Sequence, residues 1–460
     1  MRIVMYVQNA VTFDSRVIRE AASLAAAGHR VTIMGVTRSP DEPSPSTDVA
    51  GDVTTIRVAW PASSTWWVTM IVAPWRLLPL SFASVKRSLT ARPRQPARAV
   101  RAAGFALASL PWVAVRGAWV AIINKVLGRP VRVPGLEYIR RWRSQHLAWD
   151  RAAVAAAPPA DVHHAHDMEA LPAARAAAAR DGSRYVYDSH EIFMELRRIQ
   201  EQPRWLRWVM ARWERRMARQ AAGLVTINDA VGRELVRRLS PRRVVIVRNC
   251  PPRWTPPDLP EDRIRGATGI PSDSPVVLCH GAFRSNQGLE QTAEAMLAPG
   301  LERAHLVFLG YRSWYIEPIL ASVTLQGRIH DLPAVAPADL LPWVAGADVA
   351  VMTVLPYGEG LNSYLSTPNK LFESLAAGVP VVTSDIPERR HVVMDDPAGP
   401  LGAVCEPTDP AAVAAAIRSV LELPAVDGAA LRARCLAAAH ARWNWETESA
   451  RLVAFYADLA

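Results

Sequence analysis

Cysteine is scarce. The chain has four in 460 residues (Cys250, Cys279, Cys405 and Cys435), far apart and without metal-ligand or redox spacing. Three lie in or beside apolar runs, a pattern of free buried thiols in a reducing compartment rather than a disulfide framework. Also missing are a Gly-x-Gly-x-x-Gly fingerprint, a Walker Gly-x-x-x-x-Gly-Lys and any Cys/His cluster. Those absences argue against dehydrogenase, NTPase and metalloenzyme chemistry, and no metal is expected. No leader segment is expected either. Met1–Val7 already reads as a buried strand with no cleavage site after it, so the chain is expected to face the cytoplasm.

What is present suits two ordinary domains. Half of the residues are apolar, which predicts a globular chain rather than a disordered one. Strand-like runs at 2–7, 30–36, 53–58, 160–164, 184–187, 224–227 and 244–248 alternate with helical stretches, among them 14–27, a helix to Arg180 and 205–222. Five prolines in residues 249–261 predict a linker between domains 1–248 and 262–440. A second alternation follows, with strands at 276–279, 305–309, 349–354 and 379–383. A last helix is read over about 427–460, and its end, 441–460, is expected to return to the first domain. Two such runs imply an α/β chain of two Rossmann-like parallel-sheet domains, with ligands between the strand carboxyl ends.

The most informative stretch is Ser366-Thr367-Pro368-Asn369-Lys370-Leu371-Phe372-Glu373, running on to Gly378-Val379-Pro380. Thr367 suits an N-cap, Pro368 the first helical position, and Gly378 the position past the C-terminus. Helical spacing puts Asn369, Lys370 and Glu373 on one face and Leu371, Phe372 and Leu375 on the other. A lysine at a helix N-terminus suits a phosphate, and the carboxylate one turn on suits ribose hydroxyls. An ordinary amphipathic helix with a solvated face fits the same residues.

The string PNKLFESLAAGVPVV resembles the donor-site signature of retaining GT-B glycosyltransferases of family 4, in the Pro-Asn-Lys branch. The likeness extends to Asp14-Ser15-Arg16 with Glu20, Gly28-His29, His164-Ala165-His166-Asp167 and Tyr187-Asp188-Ser189-His190-Glu191. It continues in His280-Gly281-Ala282-Phe283, Gly288-Leu289-Glu290 and Leu309-Gly310. It implies a GT-B fold and transfer of a sugar from a nucleotide-diphosphate donor with retention, needing neither a metal nor another cofactor. Donor-binding residues are then Gly281, Arg284, Asn362, Ser366, Thr367, Asn369, Lys370 and Glu373, with His166, Lys370 and Glu373 nearest the chemistry. The family holds the ribose with the residue matching Glu373, and the Arg328–Val335 loop is expected near the nucleobase.

On the first domain, Asp14, Arg16, Asp167, Asp188, His190 and Glu191 are read as acceptor-side. Asp14 and Arg16 also fit an N-cap and an i,i+4 ion pair with Glu20, worth about 0.3–0.5 kcal/mol. His166 is expected in a cleft loop, positioning and polarising rather than attacking. Asp188, His190 and Glu191 fit either an acid/base set or a network that orders the cleft wall. The chain departs from the family at Ala282 and Gln287, where an arginine and a lysine are usual, and at Leu365, where the first of two glutamates falls. The leaving diphosphate must then rely on Lys370, Arg284 and the helix N-terminus. Asn362, or else Glu359, is expected to serve the sugar hydroxyls.

The net charge of +10 is local. Residues 61–150 hold fourteen Lys/Arg against Glu137 and Asp150, a surplus of +12 that leaves −2 on the rest. Seven tryptophans (Trp66, Trp67, Trp75, Trp112, Trp119, Trp142 and Trp149) share this segment, with Arg92, Arg94, Arg98 and Arg101. Its apolar stretches are broken by Pro74, Arg76, Pro111 and Arg116, so interfacial helices fit better than spanning ones. A helical insertion on an anionic membrane surface is expected, with a lipid-linked or glycan acceptor and no nucleic acid. Packing on the first domain or a partner is the other reading of the insertion. A sugar-nucleotide epimerase and a degenerate scaffold subunit are the other readings of the whole chain.

Overall fold

The computed structural model describes residues 1–459 except 13, 40, 61–134, 258–260 and 357–359. Its first sheet contains β1 Arg2–Tyr6, β2 Arg30–Val36, β3 Ser46–Ala50, β4 Val53–Val58, β5 Val162–His166, β6 Arg184–Ser189, β7 Gly223–Thr226 and β8 Val244–Ile246. The order is β3-β4-β2-β1-β5-β6-β7-β8, parallel except for β3 at the edge. The second sheet contains β9 Val276–Ala282, β10 His305–Tyr311, β11 Ile329–Pro333, β12 Val349–Met352, β13 Val381–Ser384 and β14 Gly402–Cys405. Its order is β11-β10-β9-β12-β13-β14, all parallel. Central strands such as β1 and β12 read as unbroken apolar runs because helices cover both faces. The edge strands β3, β11 and β14 are absent from the reading above: they are short and partly exposed, and so lack that signal.

Strand order reverses between β1 and β5 in the first sheet and between β9 and β12 in the second. Each reversal opens a crevice at the strand carboxyl ends, the usual ligand position in such sheets. Polar caps fix where the helices start. Asp14 accepts from Val17 N at 3.2 Å to begin helix Ser15–Ala26, and Asn228 accepts from Val231 N at 2.8 Å to begin helix Asp229–Leu239.

The expected single helix over 427–460 is in fact two, Ala425–Ala441 and Trp445–Ala457. Asn444 breaks it by serving both ends. Its amide donates to Ala439 O and His440 O, each at 2.9 Å, and its oxygen accepts from Thr447 N at 2.9 Å. The second helix places Trp445, Leu452, Phe455 and Tyr456 in the core on one face of the first sheet. All four cysteines are buried and unpaired.

Residues 61–134 lie outside the described residues, and with them the expectations for Trp66, Trp67, Trp75, Trp112, Trp119 and the arginine cluster. The end of that segment forms helices Leu136–Ser144 and His146–Ala156. Trp142 and Trp149 there are buried core residues of the first domain rather than lipid-facing ones. Among the described residues no helix is long and apolar enough to cross a membrane.

Trp149 has no exposed surface, and its indole N–H donates to Val58 O at 3.2 Å. Trp149→Ala should therefore cost about 3–5 kcal/mol, read as a lower urea midpoint. A change under about 1 kcal/mol would show that this helix pair adds little to the first domain.

Candidate functional site

The crevices of the two sheets face each other. A cavity of about 810 Å³ is lined by Asn9–Thr12, Asp14, Ser15 and Arg16 after β1, by His190 after β6, and by Ile227 after β7. Thr367 and Asn369 of the second domain close its other side. In this wall Val11 has φ +66, a costly backbone for a β-branched residue, and Asn9 Oδ1 holds it by accepting from Val11 N at 2.7 Å.

Behind the first-domain wall lies a buried ion cluster centred on Asp188. Arg16 approaches it with two hydrogen bonds of 3.1 and 3.0 Å, and also pairs with Glu20 at 3.0 Å. Asp188 Oδ2 is 3.3 Å from His166 Nδ1, 3.3 Å from His190 Nε2 and 3.6 Å from His164 Nε2. Burial opposes the charge on Asp188, but Arg16 and His190 outweigh it and hold the carboxyl well below its usual range. Burial also disfavours the His190 imidazolium, yet Asp167 and Asp188 hold its pKa well above the ordinary value. Glu20 is pushed up to about 8 by burial, against the pull of Arg16, and burial lowers His164 to about 4. His164 Nδ1 lies 2.6 Å from Tyr456 Oη, so the C-terminal helix reaches the cluster.

This network corrects several expectations. His166 is the last residue of β5 rather than part of a loop, because Asp167 adopts φ +62 and turns the strand directly into helix Asp167–Asp181. His166 is buried, with Nε2 lacking a hydrogen-bond partner among the described residues. Asp188 and Arg16 are buried against each other, so Asp188 orders the wall rather than meeting an acceptor. Asp167 is bound to His190 through its backbone N–H at 3.1 Å and its ring at 3.3 Å. Glu191 stands apart from this set. Burial raises it to about 7, and it lines a second cavity of about 470 Å³ together with Arg284 and Asn362. Glu20, His164, His166 and Asp188 bring four ligating atoms within 4.8 Å, a spacing a metal ion could use. Arg16 already bonds both carboxylates there and supplies the compensating charge.

On the second domain, helix Asn369–Ala376 buries Leu371, Phe372 and Leu375 and turns Asn369 outward. Pro368, not Thr367, is its N-cap; Thr367 Oγ1 instead accepts from Asn228 Nδ2 of the first domain at 3.3 Å. Lys370 Nζ has no hydrogen-bond or ion-pair partner among the described residues. Burial lowers its pKa to about 8, and the positive charges of Arg389 and Arg284 add to that. Glu373 lies 3.3 Å from His280 Nε2. Gly281 has φ +100, a conformation that favours glycine, and its carbonyl faces Gly310, where a Cβ would come within 1.9 Å of it.

Two departures have structural explanations. Leu365, at the position of the missing glutamate, packs with Leu361 on the first-domain core, and its carbonyl accepts from Asn228 Nδ2 at 2.8 Å. Asn362 is not free for sugar hydroxyls: it accepts from Ile192 N at 2.7 Å and donates to Ile192 O at 3.1 Å. Glu359 lies outside the described residues. Arg389 is a structural residue that the sequence pattern does not mark. It is buried with no carboxylate partner among the described residues, and donates to Met352 O at 2.8 Å and Ser366 O at 3.2 Å, holding the Ser366 loop. As one of two adjacent arginines in a short helix, it carries no sequence signal for that role.

Comparison with known proteins agrees with this architecture. Residues 274–423 match the family described as Glycosyl transferases group 1, and residues 87–250 match a Glycosyl transferase 4-like domain. A D-inositol 3-phosphate glycosyltransferase from Xylanimonas cellulosilytica is 30% identical over 219 residues, 45% of this chain. The match spans about half (48%) of that relative's length. Among solved structures, a sucrose-phosphate synthase from Thermosynechococcus elongatus shares the fold at TM-score 0.65 and 16% identity, covering 100% of this chain and 99% of its own. An alpha,alpha-trehalose-phosphate synthase (UDP-forming) from Burkholderia vietnamiensis does so at TM-score 0.61 and 14% identity, covering 100% and 99%. With a family match on each domain and two facing Rossmann-like sheets, the chain belongs to the group 1 (family 4) glycosyltransferases of the GT-B fold.

Proposed function

We propose that the protein is a retaining, metal-independent glycosyltransferase that moves a sugar from a nucleotide-diphosphate donor to a hydroxyl acceptor at the inner membrane face. The observation that carries this reading is the second domain's uncompensated positive charge. Lys370 has no hydrogen-bond or ion-pair partner among the described residues, Arg284 is exposed with no ion pair among them, and Arg389 and Arg284 both oppose the charge on Lys370. A diphosphate supplies the missing counter-charge at the start of helix Asn369–Ala376. Glu373, oriented by His280, takes the ribose hydroxyls.

In the transfer step the anomeric C–O bond to the diphosphate breaks as the bond to the acceptor oxygen forms on the same face. The acceptor proton passes to a phosphate oxygen. Lys370, Arg284 and the helix N–H groups stabilise the charge that builds on the leaving group. His166 and Asp188 act from behind by orienting His190 in the cleft wall. The cations and tryptophans of residues 61–134 support a membrane-surface acceptor, lipid-linked or glycan.

Incubation with a panel of nucleotide sugars and membrane extract should release free nucleotide and label a lipid or glycan product. Intact nucleotide binding with no turnover from any donor would instead assign a scaffold role, the reading that Ala282, Gln287 and Leu365 favour. UDP is the first nucleotide to test, since a fold neighbour is UDP-forming.

A bound phosphate favours the charged lysine, so the pKa of Lys370 is higher in the complex than its value of about 8 in the free protein. Nucleotide affinity should therefore be full below pH 8 and fall about tenfold per pH unit above it, until the pKa of the complex is reached. Calorimetry should show proton uptake near pH 8 that vanishes below pH 7. Lys370→Met should abolish both effects, and Glu373→Ala should weaken binding at least tenfold, about 1.4 kcal/mol. Affinity that is flat from pH 7 to 9 would remove Lys370 from the phosphate site.

A further inference from the structure

The outward face of helix Arg204–Gln220 belongs neither to the cleft nor to the core. Its inner side is ordinary, with Leu206, Met210 and Met217 packed into the first domain. Its outer side exposes Trp205 (44%), Trp208 (65%) and Val209 (44%) near the start, then Arg212, Arg215, Arg216 and Arg219 over the last turns. At 3.6 residues per turn these positions fall along one stripe. The helix's one carboxylate, Glu214, is buried and accepts from Tyr187 Oη at 2.9 Å, so no acid faces outward.

Among the described residues, none of the four arginines forms an ion pair. Arg215 reaches Ser240 Oγ at 3.2 Å, and Arg212 lies over the Trp208 ring at 5.8 Å. The apolar end is extended by Leu136, 51% exposed, whose neighbour Gly135 fits closely against the Trp205 ring.

Two exposed indoles followed by unpaired guanidiniums match a bilayer interface. The ring bodies suit the headgroup boundary and the cations suit anionic lipid. The patch also adjoins the cleft. Arg198 and Glu201, the latter four residues before Trp205 across the Pro203 break, line the second cavity with Arg284 and Asn362.

We propose that this face, with Leu136, docks on an anionic lipid surface and holds the mouth of that cavity against it. The docking stands on its own residues; its use in acceptor delivery rests on the transfer reading above.

The test is sedimentation of the full chain with phosphatidylcholine vesicles and with vesicles also containing phosphatidylglycerol, at low and high salt. The wild type should bind the anionic vesicles, more weakly at high salt. Trp205→Ser with Trp208→Ser should lower binding at both salts. Serine at 212, 215, 216 and 219 should lower it about tenfold or more at low salt only. Both variants should keep wild-type nucleotide affinity, which separates failure of this surface from misfolding or from failure of the donor-site reading.

Three results overturn the proposal. The wild type could stay in the supernatant with anionic vesicles. Binding could survive both variants and be lost with serine at 92, 94, 98 and 101, assigning it to segment 61–134. A wild-type dimer abolished by the tryptophan changes would make the face an interface between copies.

Discussion

The first domain depends on one ion pair, Arg16 with Asp188. An unpaired carboxylate without exposed surface would cost several kcal/mol, and here the Arg16 guanidinium and the His190 imidazolium compensate it, with His164 and His166 packed beside them. The members come from separate segments: Arg16 from the helix after β1, His164 and His166 from β5, and Asp188 and His190 from β6 and the residue after it. Arg16 also donates to Val247 O at 2.6 Å, just beyond β8. One charge pair therefore fixes the relative positions of the strand ends that line the cleft. Burial pushes the Glu20 carboxyl upward against the pull of Arg16, which eases the cost of a second buried acid in the cluster. Tyr456 ties the last helix to the same point.

The second domain meets the cleft in the opposite electrostatic state. Arg389 is solvated only by carbonyl and hydroxyl oxygens, Lys370 has no partner among the described residues, and Arg284 is exposed. A wall compensated within itself thus faces one whose cations have no ion pair among the described residues, with Glu373 the nearby carboxylate. Closure between them is held by ordinary contacts. Asn362 grips the Ile192 backbone, Asn228 holds Leu365 and Thr367, and Leu361 and Leu365 fill an apolar seam. Leu365 packs between the domains where the family resemblance implies a glutamate, and under the proposed transfer reading donor recognition then falls more heavily on Lys370 and Glu373.

Some of this was legible in the order of residues. Buried parallel strands appear as apolar runs, so β1, β9 and β12 stand out. The short edge strands β3, β11 and β14 do not, because half their surface faces solvent. The polar face of Asn369, Lys370 and Glu373 follows from helical spacing, and Asp14 as a cap follows from its place before a periodic stretch. Thr367 was misread because its hydroxyl bonds across the domain boundary, a partner that local pattern cannot show. Asn444 was missed because a single asparagine that serves two helix ends resembles any helix residue.

The sequence by itself determined the two-domain α/β architecture, the buried thiols and the family, since these rest on periodicity, composition and local motifs. Tertiary structure alone decided what the charged residues do. Asp188 and Arg16 are separated by 172 positions, and only folding joins them into a buried strut, with Arg16 also on the cavity wall. Asn362 and Leu365 became closure contacts, and Lys370 has no partner among the described residues. The physical reason is that a charge takes its role from its desolvation and its neighbours in space, and neither is written in its neighbours along the chain.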